Sequence, residues 1–425
     1  MAALLLEPPI QYRRFMRRVL AWGALMSLSL AACANGDQAP EDAPTSPVPP
    51  ASANPSDPPS ASPSASPAES PSESPQSEEP SPDVAPVREF RTTEHGKFTE
   101  PWAMEFLPGT DLLLINERGG AMKLRDQSTG EVREVSGVPE VYHEGQAGLH
   151  DVKPAPSFET DGRIYVSWVT RGDEGPHGML GLGTLDIANA ALEDLDVIWE
   201  QDPAGGDGHF SLRIAIADDL LYLTSGDRQE MDPAQDNGTN LGKILRLSLD
   251  GTPAPDNPFG DEGVESSFWS IGHRNPLGLD FDVDGTLWSS EMGPEGGDEL
   301  NRIVPGANYG WPEASNGSHY NGRDIPDHRE GDGFEAPKAF WTPSISPGNL
   351  EIYEGDLFAG WRNSALLGGL SGETLVRVAL DGENADIVDE WEMGERVRAV
   401  EEAPDGSIWL LEDGAGARLL ELRPA

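Results

Sequence analysis

The sequence predicts an all-β domain, a six-bladed β-propeller of four-stranded antiparallel blades, over residues 88–425. Three observations lead there. Short alternating apolar runs recur six times, each folded back at a tight-turn signal. Most recurrences carry a further strand rich in Leu, Val, Ile or Arg. No stretch shows a long helical period with caps, which argues against an α/β barrel. Radial repetition of small sheets lets such units bury both faces without free edges, and six of them in about 335 residues suit one ring. A β-sandwich is usually too small for this many strands.

The units follow one order of strand, turn and strand. The first runs from Pro101 through Pro108–Gly109 to Asn116, with Ala121 to Asp126 as its further strand. The second joins Leu149 to Pro154 with Ile164 to Val169 across Asp161–Gly162. The third pairs Leu212 to Ala217 with Leu220 to Gly226 at Asp218–Asp219, then adds Gly242 to Asp250. The fourth turns at Asp284–Gly285 between Leu277 to Val283 and Thr286 to Glu291. Gly296–Gly297–Asp298–Glu299 and Asn308–Tyr309–Gly310–Trp311–Pro312 follow it, and read as a glycine-rich, oxygen-rich loop system. The fifth spans Asn349 to Gly369 and adds Thr374 to Asp381. The sixth turns at Asp405–Gly406 and ends with Arg418 to Arg423. A strand around Val87 to Arg91 is expected to complete the last blade and close the ring.

The first 87 residues have a different character. Arg13, Arg14, Arg17 and Arg18 precede an apolar run from Val19 to Ala32, the pattern of an export signal over residues 1–32. Cys33, the sole cysteine, follows Leu30–Ala31–Ala32 and resembles the lipidated residue of a bacterial lipobox. Residues 33–87 are Pro, Ser, Ala and acidic residues without apolar periodicity, a disordered linker. The expectation is an exported lipoprotein, held through Cys33 at the periplasmic or extracytoplasmic face of a membrane. The whole chain of 425 residues carries 74 acidic and 29 basic residues, a formal charge of -45. Such a surface repels nucleic acid and anionic headgroups.

Polar residues stand at corresponding places in successive units, where strand ends of a propeller converge on its channel. His209, in a glycine-rich turn, suits a general base or a structural hydrogen bond. Asp227, closing YLTSGD, can orient it or serve as a turn carboxylate. Arg274 and Asn275 precede Pro276, which holds the chain extended there. Arg396 and Arg398 share one side of a strand by the period of two. Arginines facing one cavity imply an anionic ligand, although each alone also suits an ion pair in an acidic protein. Asp298, Glu299 and the Tyr309 carbonyl are hard oxygen donors of the kind calcium takes, with further carbonyls at Gly293 and Pro294. No zinc-type Cys/His spacing, G-x-S-x-G elbow or haem-attachment C-x-x-C-H is present.

GHFSLR, YLTSGD, AQDN with LGKILRL, GHRNP, EMGPEGGDELN, GANYGWP, WTPSISP and RVRAV with APDGSIWLL occur in this order. From about Pro101 onward the chain therefore resembles the soluble pyrroloquinoline quinone (PQQ)-dependent glucose/sorbosone dehydrogenases, especially their bacterial aldose sugar dehydrogenase branch. The resemblance implies a six-bladed propeller with PQQ above the channel. It implies that His209 takes the proton of an aldose hydroxyl, assisted by Asp227, as hydride passes from the anomeric carbon to PQQ and an aldonolactone forms. Arg274, Asn275, Arg396 and Arg398 would hold the cofactor. The carbonyls of Gly293 and Pro294 would bind a calcium beside it, and Glu299 with the Tyr309 carbonyl a second, structural one. An external acceptor would take the electrons.

The chain departs from the family pattern at four places. Gln146–Ala147–Gly148–Leu149–His150–Asp151 replaces GQGGLLD, and Ala399 stands where RIRDV has its aspartate. Met292 occupies a position where His or Gln is common, and no lysine lies near Leu370–Ser371–Gly372. Two other readings remain. A non-catalytic, calcium-stabilised binding propeller would keep the ring without converging polar groups. A propeller lactonase would surround its calcium with Asp, Asn and Glu rather than arginines.

Overall fold

The computed structural model describes residues 89–425. The expected export signal, Cys33 and the linker lie outside the described residues. Six four-stranded antiparallel sheets follow one another along the chain. Their innermost strands are Pro101–Phe106, Leu149–Pro154, Ser211–Ala217, Pro276–Phe281, Glu351–Tyr353 and Val397–Glu402. Each of these neighbours the next, and the sixth returns to the first, so they encircle a central channel. A separate two-stranded ribbon, Glu295–Gly296 with Gly317–Ser318, sits beside blade four. Among the described residues, no helix is long and apolar enough to cross a membrane.

The hydrophobic alternation explains the stacking. Six apolar cores lie between successive blades. Leu114, Met122 and Leu124 of blade one meet Leu149, Val166 and Trp168 of blade two, and the pattern continues round to Trp409 and Leu411 of blade six against Met104 and Ile115 of blade one. Both faces of every sheet are thus covered, as period-two apolar residues require.

The ring closes through its ends. Phe90–Thr99 pairs antiparallel with Ala415–Pro424 as the outermost strand of blade six. The closing strand expected near residues 87–91 is present, but lies further along the chain.

Two strands differ from the sequence reading. Blade two has a long third strand, Gly175–Asp186, that is rich in glycine rather than Leu or Val. A Cβ on Gly181 would stand 2.9 Å from Trp168 and Leu195 side-chain atoms, so neighbouring side chains fill the space instead. In blade four, Asp298–Arg302 is the third strand and not part of a loop, because it pairs with Leu287–Glu291 directly after the Gly296–Gly297 bend.

Five of the six inner strands carry a register shift at their first residues. An extra residue bends a strand and re-aims its side chains. Trp102, Leu277 and Arg398 are extra residues of this kind, and Arg213 lies within the shift of blade three. The shifts sit at one end of the channel, where the candidate site lies.

Candidate active site

His209 immediately precedes the inner strand of blade three, and Asp227 follows the second strand of the same blade. Antiparallel pairing of Ser211 with Ser225 brings them together. His209 Nδ1–H donates to Asp227 Oδ1 at 2.6 Å. Asp227, fully buried, also accepts from the Gln229 amide (2.8 Å) and from Trp311 Nε1 (2.7 Å). These bonds fix the imidazole tautomer and leave Nε2 without a hydrogen-bond partner among the described residues. Burial, together with the charges of Arg274 and Arg228, pulls the His209 pKa below its ordinary value, against the upward pull of Asp227. A neutral imidazole with a free Nε2 can accept a proton.

Arg274 reaches the same place from the segment before the inner strand of blade four. Its main-chain carbonyl accepts from the Asp227 amide (2.8 Å), and its guanidinium lies 5.3 Å from the Trp311 ring centre. One guanidinium nitrogen donates to the carbonyls of Met292 and Gly293, each at 2.8 Å. Nε is buried without a partner. Asn275 accepts from Ser211 Oγ (3.1 Å), and its amide faces Met292 Sδ at 3.9 Å.

Arg398 enters from blade six. Its guanidinium lies 4.2 Å from the Trp102 ring centre, and Trp102 stacks on His150 at 4.7 Å. His150 contacts the Gln146 carbonyl at 3.1 Å, and Gln146 Oε1 accepts from the His209 amide at 2.7 Å. A continuous set of contacts therefore joins Arg398 to His209. Burial lowers the Arg398 pKa to about 10. Arg396 and Arg398 do share a side, since both bind Asp413, at 2.8 Å and 3.0 Å. The arginines thus have an acidic neighbour despite Ala399. Ala399 itself belongs to the apolar core between blades six and one. Arg396 is half exposed and Arg398 buried.

The oxygen-rich region lies beside Arg274. Glu291, Glu299, Tyr309, Gly293 and Pro294 line one small cavity with Arg274 and Trp311. Glu291 accepts from the Arg274 amide (2.9 Å), and its other oxygen lies 3.2 Å from His273 Nδ1. Burial pushes Glu291 to about 8, and burial plus the Glu291 charge pushes Glu299 to about 8. Two such buried carboxylates require a cation to stay ionised at neutral pH. Beside them, both ring nitrogens of the buried His328 side chain and Asn301 Oδ1 lack hydrogen-bond partners. Oxygen donors around a deficit of positive charge fit calcium. Asp298 is not free to join them. Its carboxylate already accepts from the Gly293 amide (2.9 Å), Ser344 Oγ (2.6 Å) and the Ser346 amide (2.6 Å). Among the described residues, no three His, Cys, Asp or Glu side chains form a metal cluster, so main-chain carbonyls have to complete any set.

Sequence reasoning overlooked Trp311, Glu291, Gln146, Arg228, Asp413 and Arg213. The first four sit inside or beside motifs it quoted. Arg213 closes the quoted GHFSLR motif, but only the closed ring shows its place. It donates to the carbonyls of Leu277 (2.7 Å) and Gly348 (2.8 Å) and contacts Asp151 at 3.3 Å, tying three other blades to its own.

Residues 98–421 match the family model described as glucose/sorbosone dehydrogenase. The chain belongs to this family. It is 34% identical to an aldose sugar dehydrogenase of Escherichia coli (strain K12) over 340 residues, covering 77% of this chain and 91% of that one. Among solved structures it is similar to the apo form of the soluble aldose sugar dehydrogenase from Escherichia coli, with a TM-score of 0.76 and 32% identity over 79% of this chain and all of that chain. It is also similar to the PQQ-bound form of an aldose sugar dehydrogenase from Streptomyces coelicolor, with a TM-score of 0.67, 30% identity and coverage of 80% and 99%. For this family member, a partnerless Arg274 Nε and a second buried guanidinium at Arg398 fit a planar, multiply anionic cofactor.

Proposed function

We propose that this protein oxidises the anomeric carbon of an aldose sugar to an aldonolactone, using PQQ and calcium and passing electrons to an external acceptor. The observation that carries this reading is the continuous arrangement of His209, Asp227, Trp311 and Arg274, with a partnerless imidazole nitrogen at the channel mouth. Family membership and the PQQ-bound Streptomyces coelicolor relative support the cofactor.

PQQ, when bound, supplies a quinone that accepts two electrons. Arg274 and Arg398 would hold its anionic groups, with Asn275 beside them and Arg396 at the rim. His209 Nε2 takes the proton of the sugar C1 hydroxyl. Asp227 holds the imidazole orientation and stabilises the imidazolium that forms. The carbonyls of Gly293 and Pro294 would hold one calcium, Glu299 with the Tyr309 carbonyl a second, and Glu291 lines the same cavity. Lipid attachment at Cys33 after export would place the domain at a membrane surface.

The test is a titration of the domain with PQQ, with and without calcium, followed by a dye-reduction assay over a panel of aldoses. Calcium-dependent stoichiometric binding and sugar-dependent dye reduction are expected. A folded, calcium-loaded domain that binds no PQQ would overturn the reading.

A further inference from the structure

Arg228 is the residue after Asp227, and its charge acts on His209. It is fully buried, yet among the described residues no carboxylate lies within ion-pair distance of its guanidinium. A buried cation is costly unless its donors are satisfied. Here they are satisfied by one set of acceptors. Nε donates to the Gly208 carbonyl (3.1 Å), one terminal nitrogen to the Pro176 carbonyl (3.2 Å) and Gln201 Oε1 (3.1 Å), and the other to the Gly206 carbonyl. The guanidinium plane also covers Phe210, at 3.7 Å from the ring centre. Three of these partners, Gly206, Gly208 and Phe210, lie on the chain that carries His209.

That chain needs holding. His209 has φ of 51°, and Ser211 and Leu212 follow at 63° and 64°, all in the left-handed region. Such conformations cost about 1–3 kcal/mol each for residues with a Cβ and persist only where surroundings enforce them. Residues 205–208 lie against the turn that bears Arg228. A Cβ on Gly205 would stand 3.2 Å from the Arg228 Cβ, and one on Gly208 would stand 2.7 Å from the Gln229 side chain.

We propose that Arg228 is a positioning residue for proton transfer: its guanidinium clamps the Gly206–Phe210 chain and holds His209 Nε2 at the channel mouth. This rests on the proposed role of His209. The clamp separates two contributions. The fork of donors fixes geometry, and the positive charge adds to burial and Arg274 in disfavouring the imidazolium. The charged or titratable groups that act on His209 are Asp227, Arg274 and Arg228, while Asp207, Asp227 and Glu230 act on Arg228.

The experiment compares Arg228→Met and Arg228→Lys with the wild type, all loaded with PQQ and calcium. It records kcat and KM for one aldose across pH, hydrogen exchange of residues 202–211, and the His209 imidazole titration by NMR. In Arg228→Met we expect kcat to fall about tenfold to a hundredfold with KM little changed. Exchange protection of the loop should fall, and the acid limb of kcat and the His209 titration should both move up. Arg228→Lys keeps the charge without the fork. It should lose kcat and loop protection while its acid limb stays near the wild-type position, and it carries the test if the Met variant does not fold. Unchanged kcat in both variants overturns the proposal. So does a loss of loop protection that leaves kcat and the acid limb unmoved, since the clamp would then be structural only. If the wild type oxidises no sugar, the functional reading fails by itself. The exchange and NMR measurements then decide whether Arg228 holds His209.

Discussion

The two halves of the central channel use the same strands for opposite chemistry. At the bulged ends of the inner strands, Arg213 and Arg398 are buried, and Arg274 stands beside them with a nitrogen that nothing satisfies. Toward the other ends, Glu105, Asp280, Glu351 and Glu401 surround Lys153, which contacts Glu105 at 2.5 Å. Burial raises all four carboxylates, Glu105 to about 7 and Asp280 to about 6, while their charges hold the Lys153 ammonium well above its usual range. A cavity of about 30 Å³ lies between Lys153 and Arg213, and a wider one of about 460 Å³ is lined by Glu105, Lys153 and Asp280. The carboxylate end gathers around Lys153 as its counter-charge. At the arginine end Arg213 and Arg398 have Asp151 and Asp413, but among the described residues no carboxylate pairs with Arg274, and that is what marks it as the place for a ligand.

If that contrast is right, changes at the arginine end should affect activity, and changes at the carboxylate end should affect stability. His209→Asn should lower sugar-dependent dye reduction by about 10²- to 10⁴-fold while PQQ binding persists, as steady-state kinetics with a parallel titration will show. Arg398→Ala should weaken PQQ binding by about 2 kcal/mol or more, read by the same titration, because a buried charge contact is lost. Lys153→Met leaves the carboxylates uncompensated and should cost about 3 kcal/mol in urea denaturation at pH 8, and much less at pH 5. Glu105 and Asp280 have folded pKa values above their unfolded ones, so the folded state holds extra protons between about pH 4 and 7. Their contribution to stability therefore falls as pH rises through that window and levels off above it. Glu105→Gln should flatten this part of a denaturation-midpoint profile taken in chelator. The smallest effect belongs to the half-exposed Arg396. Arg396→Ala should change PQQ affinity by less than about 1 kcal/mol, and a loss equal to that of Arg398→Ala would break the distinction between rim and floor.

Much of the ring was legible because it follows from local rules. Turns such as Asp284–Gly285 and Asp405–Gly406 punctuate alternating runs, and both glycines adopt the left-handed φ those turns need. The third strand of blade two was not legible, because its packing is supplied by side chains from elsewhere, such as Leu195 against Gly181. His209, Asp227 and Arg274 could be suspected from their motifs, but their contact through Trp311 depends on a loop of the next blade. Asp298 shows a related effect. A carboxylate beside two glycines looks available for metal, whereas its three hydrogen bonds already tie it to blade four and the Ser344–Ser346 segment. Register shifts of one residue leave no mark in an alternating pattern, so the positions of Arg213 and Arg398 on the channel axis emerged only with the fold.

The clasp between Phe90–Thr99 and Ala415–Pro424 also sets an order of events. The His95–Glu421 contact spans 326 residues, so the first strand of the domain to leave the ribosome waits for nearly the last. Until then two sheet edges stand open, where a strand from another chain could pair. A nascent chain can form blades one to five by neighbour stacking, but it cannot become a circle. Premature termination before residue 415 should therefore yield an open, aggregation-prone arc rather than a smaller ring.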